Sequence, residues 1–259
     1  MNGYKHVFDK AITTFASDTR QPEDIFASFR SEHVLYGFID NGDRPLDEEA
    51  DAIARATNMD LYKQYKGFLV TRKQLGYASS SNIHADYSNL DSRHIMMFTL
   101  LFSRLPESPK TIVEIGGGFG NWLTLNQHLP FTKWTIIDLP HLGQLQSWYL
   151  TQQGVPENRY EIVSAFKYDD WATTTVPDLV IGSHSVSEFS FDIFYAYFMK
   201  VISKAKYFFY CYHNTMPTPD LIQTKLNIIE SKFQRISKTL SENGQVSNAL
   251  YVRIESHPQ

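Results

Sequence analysis

The sequence predicts an α/β fold: a mostly parallel seven-stranded sheet with helices on both faces, preceded by a helical N-terminal region. Three observations predict it. Short apolar runs alternate with amphipathic segments from Thr111 onward; the stretch before residue 105 lacks strand alternation; and a glycine-rich turn, Glu114-Ile115-Gly116-Gly117-Gly118-Phe119-Gly120, joins the first run to the first helix of that alternation. They divide the chain into a helical region and substrate lid over 1–105 and a cofactor-binding domain over 106–259.

In the first region, Leu46 to Thr57 follows Pro45 and is rich in Ala and Glu, as a helix start should be. Asp60 to Leu75 repeats apolar residues at Leu61, Tyr65, Phe68 and Leu69, a helical spacing. Gly76 to Leu90 contains Ser79-Ser80-Ser81-Asn82 and reads as a loop. Asp91 is placed to cap the next helix, whose apolar face holds Ile95, Phe98, Phe102 and Leu105 before Pro106 and Pro109 end it.

Strands are predicted at 111–115, 133–138, 160–164, 178–182 and 206–212, with helices near 121–129, 141–153, 189–203 and 218–232. Gly154 suits a helix C-cap. Two further strand-like runs, 233–240 and 249–256, flank Ser241-Glu242-Asn243-Gly244-Gln245, where Asn-Gly marks a hairpin turn. Alternating βα units give parallel strands with right-handed crossovers, and the terminal hairpin adds one antiparallel strand.

Composition narrows the function classes. Of 259 residues, 42% are hydrophobic and 20% charged, the balance of a soluble globular chain. A net charge of −4 without a Lys/Arg run argues against nucleic-acid and anionic-membrane partners. Cys211 is the only cysteine, which excludes an intrachain disulfide and a cysteine-rich zinc site. No signal peptide is recognisable, and no apolar run approaches the ~20 residues that span a bilayer, so a reducing, cytoplasmic setting is expected. The 15 Tyr and 18 Phe must mostly fill the core, yet such rings also suit a carbohydrate cleft.

The glycine turn carries the chemistry. Gly116, Gly118 and Gly120 let the backbone take positive φ and let a ligand approach closely. The helix after them points free N–H groups at that ligand. Asp138, 18 residues past Gly120, ends the second strand, where an acid can accept both hydroxyls of a ribose. Dinucleotide turns want G-x-G-x-x-G, but position 121 is Asn; a phosphate-binding loop wants Gly-Lys-Ser/Thr, which is missing. A turn with no ligand is the bland alternative, disfavoured by alternating glycines with an acid on each strand.

This E-x-G-x-G-x-G spacing resembles motif I of the class I S-adenosylmethionine (SAM)-dependent methyltransferases, which are Rossmann-like in fold. Further landmarks resemble the bacterial and viral sugar O-methyltransferases: Asp138-Leu139-Pro140, the segment Ser185-Val186-Ser187-Glu188-Phe189, and the aromatic strand ending Tyr212-His213-Asn214. The resemblance runs from about Asp91 to the C-terminus. The chain departs from it at Phe189, where that family carries Met, and by placing His184 before the serine. What the resemblance implies is methyl transfer from SAM to a sugar or glycan hydroxyl, leaving S-adenosylhomocysteine. The cofactor would lie on Gly116, Gly117, Gly118, Gly120, Asp138 and Leu139. Glu114 would reach its methionine amino group, Arg93 its carboxylate, and Phe166 its adenine.

A sugar hydroxyl is a weak acid, so a general base is expected beyond the carboxyl ends of the central strands. His184, His213, Asn214 and Glu188 follow strands four and five there. His184 is the expected base, because imidazole is largely neutral near pH 7. Glu188 either orients it, binds a sugar hydroxyl, acts as the base itself, or closes a capping box with Ser185. His213 and Asn214 are candidate acceptor ligands, as are His84 and Tyr87 in the loop 76–90, where Asp86 is a further candidate base. No metal is expected, since a hard cation at such a place wants carboxylates and no H-x-x-H or cysteine pair supports zinc. The Asn/Asp-Pro-Pro-Tyr of amino-methylating enzymes and the Lys-Asp-Lys-Glu tetrad of cap 2′-O-methyltransferases are both absent. A phenolic or small-metabolite acceptor, and an inactive methyltransferase fold serving as an interaction subunit, stay open as alternatives.

Overall fold

A computed structural model describes residues 3–30, 47–73, 75–76, 89–172, 174–214, 218–240 and 245–254. The candidates His84, Asp86 and Tyr87 lie outside them, as does most of the expected hairpin turn, 241–244.

The chain divides into two compact units. One contains residues 1–105, 118–129 and 139–157; the other contains 106–117, 130–138 and 158–259. In the first, α1 (Gly3–Ser17), α2 (Pro22–Phe26), α3 (Glu48–Thr57), α4 (Met59–Thr71) and α5 (Asn89–Phe102) precede α6 (Asn121–Asn126) and α7 (Pro140–Gln152). Side chains cap α3 and α4: Asp47 accepts from the Ala50 N–H and Asn58 from the Leu61 N–H, each satisfying an otherwise open first-turn donor. Asp91 does not cap its helix. The helix begins two residues earlier, and the Asp91 carboxylate turns into the interior to meet Arg72. Ile25, Phe26, Phe29, Phe119, Leu142, Leu145 and Tyr149 form an apolar core there, the largest share of it aromatic.

The second unit holds the sheet: β1 (Thr111–Ile115), β2 (Lys133–Asp138), β3 (Tyr160–Ser164), β4 (Leu179–Ser183), β5 (Tyr207–His213), β6 (Phe233–Leu240) and β7 (Val246–Arg253). The spatial order is β3-β2-β1-β4-β5-β7-β6. Pairing is parallel from β3 through β5, and β7 runs antiparallel to both β5 and β6. The single antiparallel strand is therefore β7, as a terminal hairpin requires.

Runs rich in Val, Ile, Phe and Tyr bury both faces of the central strands, which is why they read as continuous apolar stretches. One face packs Val113, Ile115, Ile137, Val180, Phe208 and Tyr210 against Phe194 and Phe198 of α10 (Phe191–Lys200) and Ile222 and Ile229 of α11 (Pro219–Glu230). The helix expected over 189–203 forms as α10, and Val201, with φ −123° and ψ −60°, ends it before a 3-10 turn over Ile202–Lys204. Two short helices, α8 (Tyr168–Ala172) and α9 (Ser185–Glu188), precede α10, and Phe189, with φ −60° and ψ 145°, breaks the chain between α9 and α10.

Candidate cofactor and acceptor site

The sheet order reverses between β1 and β4, which are hydrogen-bonded neighbours although β1 continues in sequence toward β2 on its other side. Such a reversal opens a crevice at the carboxyl ends of the strands. The glycine turn leaves β1 at that end, and the segment Ser183-His184-Ser185 leaves β4 beside it. Ser185 Oγ donates to the Ile115 carbonyl and thereby ties the two departures together.

Glycine is required where this junction is tightest. Gly116 has φ 77°, and a side chain there would run into Ser185. Gly118 has φ 58° with open space where a Cβ would stand, so its freedom serves the backbone or a ligand and not a neighbouring side chain. Gly120, at φ 90°, precedes α6. Gly116 N–H donates to the Ile137 carbonyl at 2.9 Å, so its amide is committed to β2.

Two acids flank the turn. Glu114 on β1 is buried and accepts from Trp134 Nε1–H at 3.1 Å. Burial pushes its carboxyl up to about 8; the Trp134 hydrogen bond opposes this and the Asp138 charge adds to it. Asp138 closes β2, only 7% exposed, and its carbonyl accepts from Ala165 N–H at 2.7 Å, which fixes the start of the loop after β3. Phe166 stands in that loop, 68% exposed. Leu139 is half-buried at the N-cap of α7.

Asn121 occupies the place where a dinucleotide turn would have its third glycine. Its side chain is buried, donating from Nδ2 to Asp91 Oδ1 at 3.0 Å and accepting at Oδ1 from Arg72 at 3.0 Å. His94 Nδ1 lies 3.0 Å from the same Nδ2. Sequence reading missed this network, because its members come from three separate helical segments. Arg93, the expected partner of a cofactor carboxylate, projects from α5 half-exposed and pairs with Asp47 at 2.8 Å.

At the end of β4, His184 has φ 63° and ψ −49°, the only positive φ among the described non-glycine residues. Such a conformation costs an ordinary residue about 1–3 kcal/mol and persists only where surroundings enforce it. Here they do: its N–H donates to the Cys211 carbonyl at 2.9 Å, and its carbonyl accepts from Ser187 N–H at 2.9 Å and Ser187 Oγ at 2.5 Å. The ring stands 4.7 Å from that of His213, centroid to centroid, and Nε2 lies 3.3 Å from Cys211 Sγ. Asn214 follows, its Oδ1 accepting from Ser247 Oγ at 2.9 Å. The structure thus brings His184, His213 and Cys211 together at the carboxyl ends of β4 and β5.

Ser185 and Glu188 form no capping box, because the Ser185 hydroxyl is spent on Ile115. Glu188 is half-buried; burial raises its pKa and the positive charge of Lys225 opposes the rise. Among the described residues, no group of three or more His, Cys, Asp or Glu is placed to hold a metal ion, and no helix is long and apolar enough to cross a membrane.

Neither a protein-family model nor a curated protein sequence matches the chain. Solved structures do. A candidate RNA methyltransferase, PH1948 from Pyrococcus horikoshii, superimposes with a TM-score of 0.52 at 9% identity, covering 75% of this chain and 98% of its own. The PH0226 protein from Pyrococcus horikoshii OT3 gives 0.50 at 12% identity, covering 67% and 94%. At such identities the likeness is one of fold: the chain has the class I methyltransferase fold.

Proposed function

We propose that the protein is a SAM-dependent O-methyltransferase acting on a sugar or glycan hydroxyl. The observation that carries the cofactor part is the junction of β1 and β4: a turn of positive-φ glycines, one with open space beside it, between a buried acid on β1 and another ending β2. These residues fit an adenosyl group bearing an amino acid. Asp138 would take the ribose, the 116–120 backbone and Glu114 the methionine part, and Leu139 and the exposed Phe166 the adenine. Arg93 is an available cation for the carboxylate only if it leaves Asp47. SAM, when bound, supplies an electrophilic methyl group.

The chain's own work is then alignment and proton removal. An acceptor oxygen must be held in line with the leaving sulfur, and much of the rate comes from that placement. His184 takes the proton of the acceptor hydroxyl, with His213 and Asn214 binding the acceptor and Glu188 beside the turn. The sugar acceptor is supported by the sequence landmarks and by the histidines at the ends of β4 and β5. The RNA suggested by the name of the PH1948 neighbour is an arm of the test, as is a phenol.

Calorimetry with S-adenosylhomocysteine comes first. Asp138→Ala should weaken binding by about 1–3 kcal/mol, the range of charge-assisted hydrogen bonds; unchanged affinity in a folded variant removes Asp138 from the site. Mass spectrometry after incubation with SAM and rhamnose, fucose or xylose glycosides should show a gain of one methyl. Transfer to RNA or catechol and to no sugar would overturn the acceptor class. Failure to bind cofactor at all favours an interaction subunit.

A further inference from the structure

Lys225 of α11 is wholly buried, yet its ammonium meets no carboxylate at ion-pair distance among the described residues. Nζ instead donates to three backbone carbonyls: Val186 at 3.2 Å, Ser187 at 2.8 Å and Phe189 at 2.6 Å. An ammonium has three donors, and all three are used. The carbonyls are the open C-terminal end of α9, a helix of four residues that has no stability of its own. Cationic groups favour such an end, and burial here makes the contact strong. The Phe194 ring of α10 stands 5.4 Å from Nζ and closes the site on its apolar side.

Burying a lysine is costly, and an apolar side chain would fill the same space without that cost. What the ammonium secures is the segment 184–189. Ser185 anchors its start to Ile115 and Lys225 anchors its end. Glu188 sits between those anchors, and His184, in its enforced positive-φ conformation, immediately precedes the first and is tied to the held segment through its carbonyl, which accepts from Ser187. Glu188 is also the charged group that acts on Lys225: burial lowers the lysine to about 8, and the Glu188 charge opposes that fall.

We propose that Lys225 is a positioning residue: by holding the carbonyls of Val186, Ser187 and Phe189 it fixes His184 and Glu188 for turnover, without taking part in cofactor binding. This rests on the methyltransferase reading for its catalytic consequence, though not for the placement of His184.

The test compares Lys225→Met and Lys225→Arg with the wild type. Lys225→Met should lower kcat about 10–100-fold, the scale of a misplaced reacting group, with the Kd for S-adenosylhomocysteine changed less than twofold. The wild-type kcat should fall as pH rises past about 8, when the ammonium begins to lose its proton. In Lys225→Arg, whose charge persists, that alkaline fall should be absent. Independently of any acceptor, the His184 ring signals in a ¹H–¹³C spectrum, assigned with His184→Gln, should shift or broaden in Lys225→Met. Unmoved His184 signals, or an alkaline limb identical in Lys225→Arg, would overturn the proposal. Should Lys225→Met not fold, the Arg profile and spectrum decide. If the wild type transfers methyl to nothing, the functional reading fails, and the His184 spectrum still decides the role of Lys225.

Discussion

Arg72 grips Asp91 through both ends of its guanidinium, and each side chain is only 1% exposed. Asn121, the first residue of α6, hydrogen-bonds to both members of the pair. A charge left alone in such a place is far costlier than the pair is favourable. Asp91→Ala should therefore lose about 3–5 kcal/mol of stability by urea denaturation. Removing both charges together, as Arg72→Met with Asp91→Leu, should cost clearly less than the single change. Equal losses in the two variants would mean that the pair is not the source.

The glycine turn separates two kinds of requirement. Gly116→Ala meets both an unfavourable φ and the Ser185 side chain. Gly118→Ala meets the unfavourable φ alone, worth about 1–2 kcal/mol. Thermal melts should show Gly116→Ala as the more destabilised, while Gly118→Ala should keep its fold and lose affinity for S-adenosylhomocysteine, because its methyl group enters the open space. A Gly118→Ala protein that binds normally would place the ligand elsewhere.

Glu114 makes stability depend on pH in a definite sense. Its folded-state pKa, about 8, lies above the ordinary 4.5 because burial disfavours the charge. Below about pH 4.5 both states carry the proton. As pH rises toward 8 the unfolded chain releases it and the folded chain does not, so the stabilising contribution is lost across that window. Glu114→Gln, which can still accept from Trp134, should gain stability relative to wild type as pH goes from 5 to 8. A constant difference between the two over that range would show that Glu114 is ionised in the fold.

His184→Ala should reduce turnover by about 10²–10⁴-fold, the usual contribution of a positioned base, with cofactor affinity nearly constant. Activity should survive EDTA. A variant that keeps most of its turnover moves the base to His213 or Asp86, and activity lost to EDTA and restored by a divalent ion ends the metal-free reading.

Much of this was legible in the sequence because it is local. β1, β2, β3 and β6 begin and end where their sequence patterns predict, and Gly116, Gly118 and Gly120 announce positive φ by composition alone. The failures share one cause. Asp91 reads as a cap because nothing nearby shows that Arg72, 19 residues earlier, turns toward it. Ser185 and Glu188 have capping-box spacing, but the competing acceptor, the Ile115 carbonyl, lies 70 residues away. The short helix α9 went unread because neither Gly nor Pro marks the break at Phe189 that separates it from α10. Lys225 looks like an ordinary surface position on an amphipathic helix, and only the three-dimensional placement of 186–189 shows why it is buried.

The two segments 118–129 and 139–157, though they follow β1 and β2 in sequence, gather with residues 1–105. Phe119, Leu142, Leu145 and Tyr149 find their apolar neighbours in Ile25, Phe26 and Phe29. A protease or a cloning boundary that severs the chain near residue 105 would thus leave those four side chains facing water, each a deficit of roughly 1.5–3 kcal/mol. The fragment that begins at 106 should aggregate on expression, and supplying 1–105 as a separate polypeptide should rescue it. The leading 105 residues are, in that sense, an intramolecular chaperone for Phe119 of the glycine turn and for the apolar face of α7.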